Sequence, residues 1–255
     1  MQSNDALIIS KATTGVTTVT LNRPSSRNAL SRALIGELAK AFTELSSDDG
    51  TRVVVLDHAG PVFCAGADLK ESAAARDLGD LPAAALPSLF LAMDECPKPI
   101  VVVARGGVRG GGMGLLAAAD LAVVAEDAKL AFSEVRLGVV PAVIGPVVAQ
   151  RLTPARTREL FLTGETFTGQ DAAYFGLADI AAPSEDVEEA LHTAVGLLLQ
   201  GGPSAQAGIK EITRHPHLSS ELAQAAETTA RYFLSEEGQE GVAAFTEKRR
   251  PSWVI

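Results

Sequence analysis

Two hydrophobic periods run along the first three quarters of the chain. Residues 6–9 and 16–21 are strand-like apolar runs on either side of Thr13-Thr14-Gly15, the pattern of a hairpin. Leu30, Leu34, Leu38, Ala41, Phe42 and Leu45 then recur at three- and four-residue intervals. That spacing predicts an amphipathic helix closed by residues 46–50. Three unbroken apolar runs follow at residues 53–56, 100–104 and 121–125, the middle one entered through Pro97-Lys98-Pro99. Each reads as a strand buried on both faces. Strands alternating with helices predict an α/β architecture.

From Asp186 onward the pattern holds helices only, over residues 187–199, 204–213, 219–234 and 237–249. Leu218, Leu222, Ala225, Ala226 and Thr229 stripe the third of these. No proline- or serine-rich linker precedes them, so the reading is a core over residues 1–195 with an appended helical subdomain over 196–255.

Composition narrows the function classes. With 255 residues, 47% of them hydrophobic, the chain can bury one large core or two small ones. Twenty-two basic against 31 acidic residues give a net charge of −9, which argues against a nucleic-acid or anionic-membrane binder. Two cysteines and four histidines exclude a disulfide scaffold and a Cys-rich zinc module. The opening MQSNDALIISKATTG has no basic segment followed by an apolar one, so no secretory leader is expected. The most apolar stretch, 110–125, is broken by Asp120 and is shorter than the roughly 20 residues of a membrane span. Reduced cytoplasm is the expected compartment.

Three segments carry candidate chemistry. Val62-Phe63-Cys64-Ala65-Gly66-Ala67-Asp68-Leu69-Lys70 follows a buried run, and small residues at such a strand-to-helix turn let a ligand approach free N–H groups. An ordinary tight turn would read the same way. Arg105-Gly106-Gly107-Val108-Arg109-Gly110-Gly111-Gly112-Met113-Gly114 holds six glycines in ten positions, although glycine weakens helix and strand alike. Either something passes close to this backbone or the loop needs unusual φ values. Gly112 to Ala117 also fits G-x-G-x-x-A, but the next strand ends at Glu126, too soon for a ribose-binding acid about 20 residues on. In the third segment Glu134 stands among apolar residues, where desolvation would raise its pKa into a range useful for proton transfer. The bland alternatives are a pair with Arg136 or exposure to solvent.

In order, Asn22-Arg23-Pro24, Asn28-Ala29-Leu30, Phe63 to Leu69, Pro97-Lys98-Pro99, the triple glycine, Glu134, Leu162-Thr163-Gly164 and Ala244 to Pro251 resemble the crotonase superfamily, the enoyl-CoA hydratase/isomerase family. The likeness spans nearly the whole chain. It implies a spiral of ββα repeats with a C-terminal helical trimerisation subdomain, assembled as a homotrimer or dimer of trimers. It implies an acyl-CoA substrate, with no cofactor beyond the CoA that the substrate carries and no metal. By the same resemblance, Ala67 and Gly111 donate N–H groups to the thioester oxygen and Glu134 is the catalytic acid/base. Ala65, Gly66, Asp68, Leu69, Gly110 and Arg109 would line the substrate or CoA site, and Phe245 and Lys248 would reach a neighbouring subunit's CoA.

One departure stands out. Family hydratases commonly carry a first glutamate three residues after the middle glycine, and Gly114 occupies that place here. One carboxylate suffices to shuttle a proton between C2 and C4 for isomerisation, whereas hydration would ask it to serve two steps. The string Ser133 to Gly138 with Pro141 to Ile144 resembles the branch of methylglutaconyl-type hydratases, whose members also tend to have glycine at this place. The expectation is therefore a hydratase-type lyase, with a single-glutamate isomerase or a weak acyl-CoA binder as alternatives. Arg109 suits a substrate carboxylate, a CoA phosphate or a nearby acid. Arg23 and Arg27 suit CoA phosphates or solvent, and residues 72–90 the acyl pocket. His215 and His217 read as a surface turn rather than metal ligands, Cys64 as a small buried hydrophobe, and Asp68 also as the cap of the helix that follows it.

Overall fold

The computed structural model describes residues 6–255. The first five residues of the expected core, which also begin the stretch searched for a leader, lie outside the described residues. Strands β1 (Leu7–Lys11) and β2 (Val16–Leu21) form the hairpin, with Gly15 at φ +83° in its turn. β1 reaches Lys11, beyond the apolar run at 6–9, because its register against β2 runs from Leu7 opposite Leu21 to Lys11 opposite Thr17. Helix α1 (Arg32–Ser46) buries Leu34, Leu38, Ala41, Phe42 and Leu45, and its N-cap Ser31 accepts from the Leu34 N–H. Leu30 lies outside that helix, in an isolated bridge with Ala67.

Three ββα turns come next. β3 (Val53–His58) and β4 (Val62–Cys64) lead into α2 (Leu69–Ala74) and α3 (Leu86–Glu95). β5 (Ile100–Ala104) and β6 (Gly107–Arg109) lead into α4 (Gly111–Ala118). β7 (Leu121–Ala125) and β8 (Lys129–Ala131) lead into a 3-10 turn, Glu134–Leu137, then α5 (Gly145–Val148) and α6 (Pro154–Thr163). β9 (Phe167–Thr168), α7 (Gly169–Phe175) and β10 (Ile180–Ala182) complete the spiral.

The first strand of each pair enters one sheet and the second enters another. The large sheet has the order β1-β2-β3-β5-β7-β10 and the small one β4-β6-β8-β9. Pairing is parallel except at β1/β2 and β8/β9. All five residues of β5 are buried, as parallel strands covered on both faces require. Because each turn exits the small sheet on one side, the loops after β4, β6 and β8 gather at one place. That convergence builds the site.

The C-terminal helices are α8 (Val187–Gln200), α9 (Pro203–Thr213), α10 (Leu218–Phe233) and α11 (Glu236–Thr246). α8 packs on β3, β7 and β10, and α10 on α3, α5 and the turn Ala142–Ile144. α11 packs on α2 and on the turn that begins with Glu134. It stops at Thr246 rather than 249 because Lys248 turns left-handed at φ +55°. Among the described residues no helix is long and apolar enough to cross a membrane.

Candidate active site

The turns after β4 and β6 touch backbone to backbone. Gly66 sits at φ +94° and Gly110 at φ +52°, and a Cβ on Gly110 would lie 3.2 Å from the Gly66 Cα. Both conformations and the approach need glycine. Leu30 donates its N–H to the Gly66 carbonyl and accepts from the Asp68 N–H, at 2.8 and 3.0 Å. Those bonds flank Ala67 and leave its own N–H without a partner among the described residues. Gly111 opens α4, so its N–H has no partner within the helix, and none is found among the described residues. A Cβ on Gly111 would lie 2.8 Å from Leu30 Cδ1, and one on Gly112 2.6 Å from Cys64 Cβ. Close approach thus accounts for two of the three glycines, and positive φ for Gly110.

Glu134 comes up against the same spot. A Cβ on Gly110 would lie 3.5 Å from Glu134 Oε1 and 4.0 Å from the Ala67 nitrogen. Glu134 Oε2 is sealed from solvent with no hydrogen-bond partner, and burial pushes the carboxyl up to about 7. It forms no ion pair with Arg136, and its Oε2 is closed to solvent although the residue as a whole is partly exposed to the cavity. The turn is fixed by the Val139 N–H donating to the Glu134 carbonyl at 3.1 Å and by Gly138 at φ +65°. Gly241 of α11 presses on the Leu137 backbone, where a Cβ would overlap the carbonyl oxygen.

These groups open into a cavity of about 510 Å³. Of the candidate residues, Ala65, Gly66, Ala67, Leu69, Arg109, Gly110, Gly111, Glu134 and Phe245 line it. Asp68 does not: its carboxylate accepts from the Lys70 and Glu71 N–H groups as the N-cap of α2 and lies 3.6 Å from Arg23. Lys248 is exposed and outside the lining, carried away by the left-handed turn after α11. Phe245 lines the cavity of its own chain, because α11 packs back on the turn that starts at Glu134. From the 72–90 stretch Ser72, Leu81, Ala83 and Leu86 line the cavity. Thr229, whose hydroxyl accepts from the buried Val143 N–H, also lines it and was not foreseen, and neither was Arg136.

A family model described as enoyl-CoA hydratase/isomerase matches residues 11–254. This chain belongs to that family. A Bacillus subtilis relative named a probable enoyl-CoA hydratase is 31% identical over 245 residues, covering 93% of this chain and 95% of its own. The 2,3-dehydroadipyl-CoA hydratase of Escherichia coli K12 is 31% identical over 243 residues, covering 92% and 93%. The crystal structure of an enoyl-CoA hydratase from Mycobacterium avium matches with a TM-score of 0.85 and 35% identity, covering 99% and 100%.

Gly114, where the resemblance would expect a first glutamate, has no room for a side chain. A Cβ on Gly114 would lie 2.5 Å from Phe90 Cζ and 2.7 Å from Ile144 Cγ2. Arg109 finds no acid among the described residues: its Nη1 donates to the Val108 carbonyl at 2.9 Å and to the Lys129 carbonyl. Arg23 is spent on the Ala29 carbonyl, the Ser31 hydroxyl and Asp68, whereas Arg27 lines the cavity. His215 lies 3.7 Å from Glu221, and among the described residues no three His, Cys, Asp or Glu side chains form a metal-binding group. Cys64 is fully buried and its thiol is pushed up to about 12 by burial.

Proposed function

We propose that this chain is an enoyl-CoA hydratase-type lyase that adds water across the 2,3 double bond of an enoyl-CoA thioester. The observation that carries the reading is a carboxyl whose Oε2 is buried without a partner, beside two backbone N–H groups that have no partner among the described residues. The Ala67 and Gly111 amides would hold the thioester oxygen. One such donor is worth on the order of 10²–10³ in rate. Glu134 takes a proton from water as the water oxygen bonds to C3, and the π electrons move onto the thioester oxygen as an enolate. The same carboxyl then returns its proton to C2. No cofactor beyond the substrate's CoA takes part. Exposed Leu197, Ile209 and Ile212 on α8 and α9 are consistent with burial between copies in a trimer or dimer of trimers.

Gly114 and its packed neighbours favour one second reading, a single-glutamate isomerase that moves a proton between C4 and C2. Loss of the enoyl chromophore of crotonyl-CoA, with hydroxyacyl-CoA as product, supports hydration. Conversion of a 3-enoyl to a 2-enoyl thioester without hydration puts isomerisation in its place. Acyl-CoA binding without either reaction overturns both.

A further inference from the structure

The cavity is apolar around Leu81, Leu86, Val143 and Ile144, yet it also carries four guanidiniums, those of Arg27, Arg109, Arg136 and Arg249. Arg249 is neutralised by Glu240 and Glu247. Arg109 and Arg136 are different. Like Arg27, neither has a carboxylate partner among the described residues, in a chain with nine more acidic than basic side chains. Arg109 is half-buried, and its Nε and Nη2 have no acceptor among the described residues, while Nη1 is bonded to the Val108 and Lys129 carbonyls. Burial, and then the charge of Arg136, lower its pKa from the ordinary value. Arg136 is exposed, and an anion entering the cavity would be drawn to both guanidiniums.

The position of the pair says where that anion is carried. Arg109 immediately precedes Gly110, and Arg136 follows Glu134 by two residues, while Glu134 Oε1 lies against Gly110. Both arginines are therefore rooted at the reacting end of the cavity. The phosphates of CoA lie a whole pantetheine arm away from the thioester, so they are poorly placed to supply the charge. We propose that Arg109 and Arg136 form a subsite for a carboxylate on the acyl group, which makes the substrate the CoA thioester of a dicarboxylic acid. The guanidinium fork suits a carboxylate in two-point contact. This subsite rests on the acyl-CoA reading of the cavity, but not on which reaction follows.

Binding of saturated thioesters tests it without turnover. Succinyl-, glutaryl- and adipyl-CoA would be titrated calorimetrically against butyryl-, pentanoyl- and hexanoyl-CoA, using the parent, Arg109→Gln and Arg136→Gln. The expected result is that one diacid binds the parent about 10- to 100-fold tighter than its neutral counterpart, the span of a charge-assisted hydrogen bond. That ratio falls toward one in each variant, and a pantetheine thioester of the same diacid, lacking the phosphates, keeps the preference. No diacid preference in the parent overturns the proposal. So does an equal weakening of diacid and neutral thioesters in the variants, which would assign the arginines to CoA phosphate. If no acyl-CoA binds the folded parent at all, the reading of the cavity fails and the subsite with it. Arg109→Lys distinguishes lost charge from lost packing, since it keeps the charge without the fork.

Discussion

Replacing Glu134 by glutamine should pull stability and activity in opposite directions. The carboxyl has an ordinary value of 4.5 and is raised by burial to about 7 in the fold. The unfolded chain therefore releases this proton near pH 4.5, while the folded chain holds it until about pH 7. Between those values the folded state binds more protons, so stability contributed by the neutral carboxyl is lost as pH rises through the window. The full loss, reached above pH 7, is about 3 kcal/mol as an order of magnitude. Glutamine has nothing to ionise. Glu134→Gln should thus match the parent within about 1 kcal/mol at pH 4.5 and exceed it by up to about 3 kcal/mol at pH 8. For a chain of this length that is a rise of roughly 6–12 °C in Tm. Turnover of crotonyl-CoA should meanwhile fall by about 10²–10⁴, the usual worth of a positioned acid/base. In the parent kcat/KM should rise through about pH 7 as the base ionises. Thermal scans at both pH values with chromophore-loss kinetics measure all three. If the variant gains nothing at pH 8 relative to pH 4.5, the carboxyl is not desolvated. If turnover survives within a few-fold, Glu134 does not carry the proton.

Other substitutions probe the surroundings of that carboxylate. Gly114→Glu should not add a second acid/base, because Phe90 and Ile144 occupy its path; the expected result is a loss of about 1–3 kcal/mol in urea unfolding with no gain in hydration. Gly241→Ala should push α11 off the Leu137 backbone, costing about 1–3 kcal/mol and lowering kcat with it, because the displaced turn carries Glu134. Unchanged kcat in a folded Gly241→Ala would show that α11 does not position the turn. Cys64 should resist thiol reagents at pH 8 until the protein unfolds, since its thiol is fully buried and pushed up to about 12. Rapid native-state labelling of Cys64, read by peptide mass, would contradict the packing of Gly112 against it.

Periodicity carried the strands and helices because most of them bury a regular face. It missed the start of α1, where Leu30 has the spacing of a helix residue but bridges Ala67 instead. It also missed the end of α11, since the left-handed turn at Lys248 has no signature in a residue that is not glycine. The site was legible at its glycines and at Glu134, where residue type is dictated by close approach or by burial of a charge. Asp68 carried two readings, helix cap and substrate contact; the structure shows it as the cap of α2 and outside the cavity lining. Arg136 was seen only as a partner for Glu134, and nothing in sequence spacing says that two arginines rooted on different turns share a cavity. That fact belongs to the spiral, which brings the ends of β6 and β8 side by side.

The closed space at Gly114 changes what the rest of the site must do. A glutamate simply lost from that place would leave a hollow that water could fill, and water could then relay a proton. Phe90 and Ile144 remove the hollow, so the protein offers one titratable carboxylate at the point where Ala67, Gly110 and Gly111 converge. A lone carboxylate raised to about 7 is well matched to that burden, because it gives up and takes back a proton at similar cost near neutral pH. On the proposed reaction the Ala67 and Gly111 N–H groups would then carry the negative charge of the enolate, and Arg109 and Arg136 would remain for charge elsewhere on the acyl group.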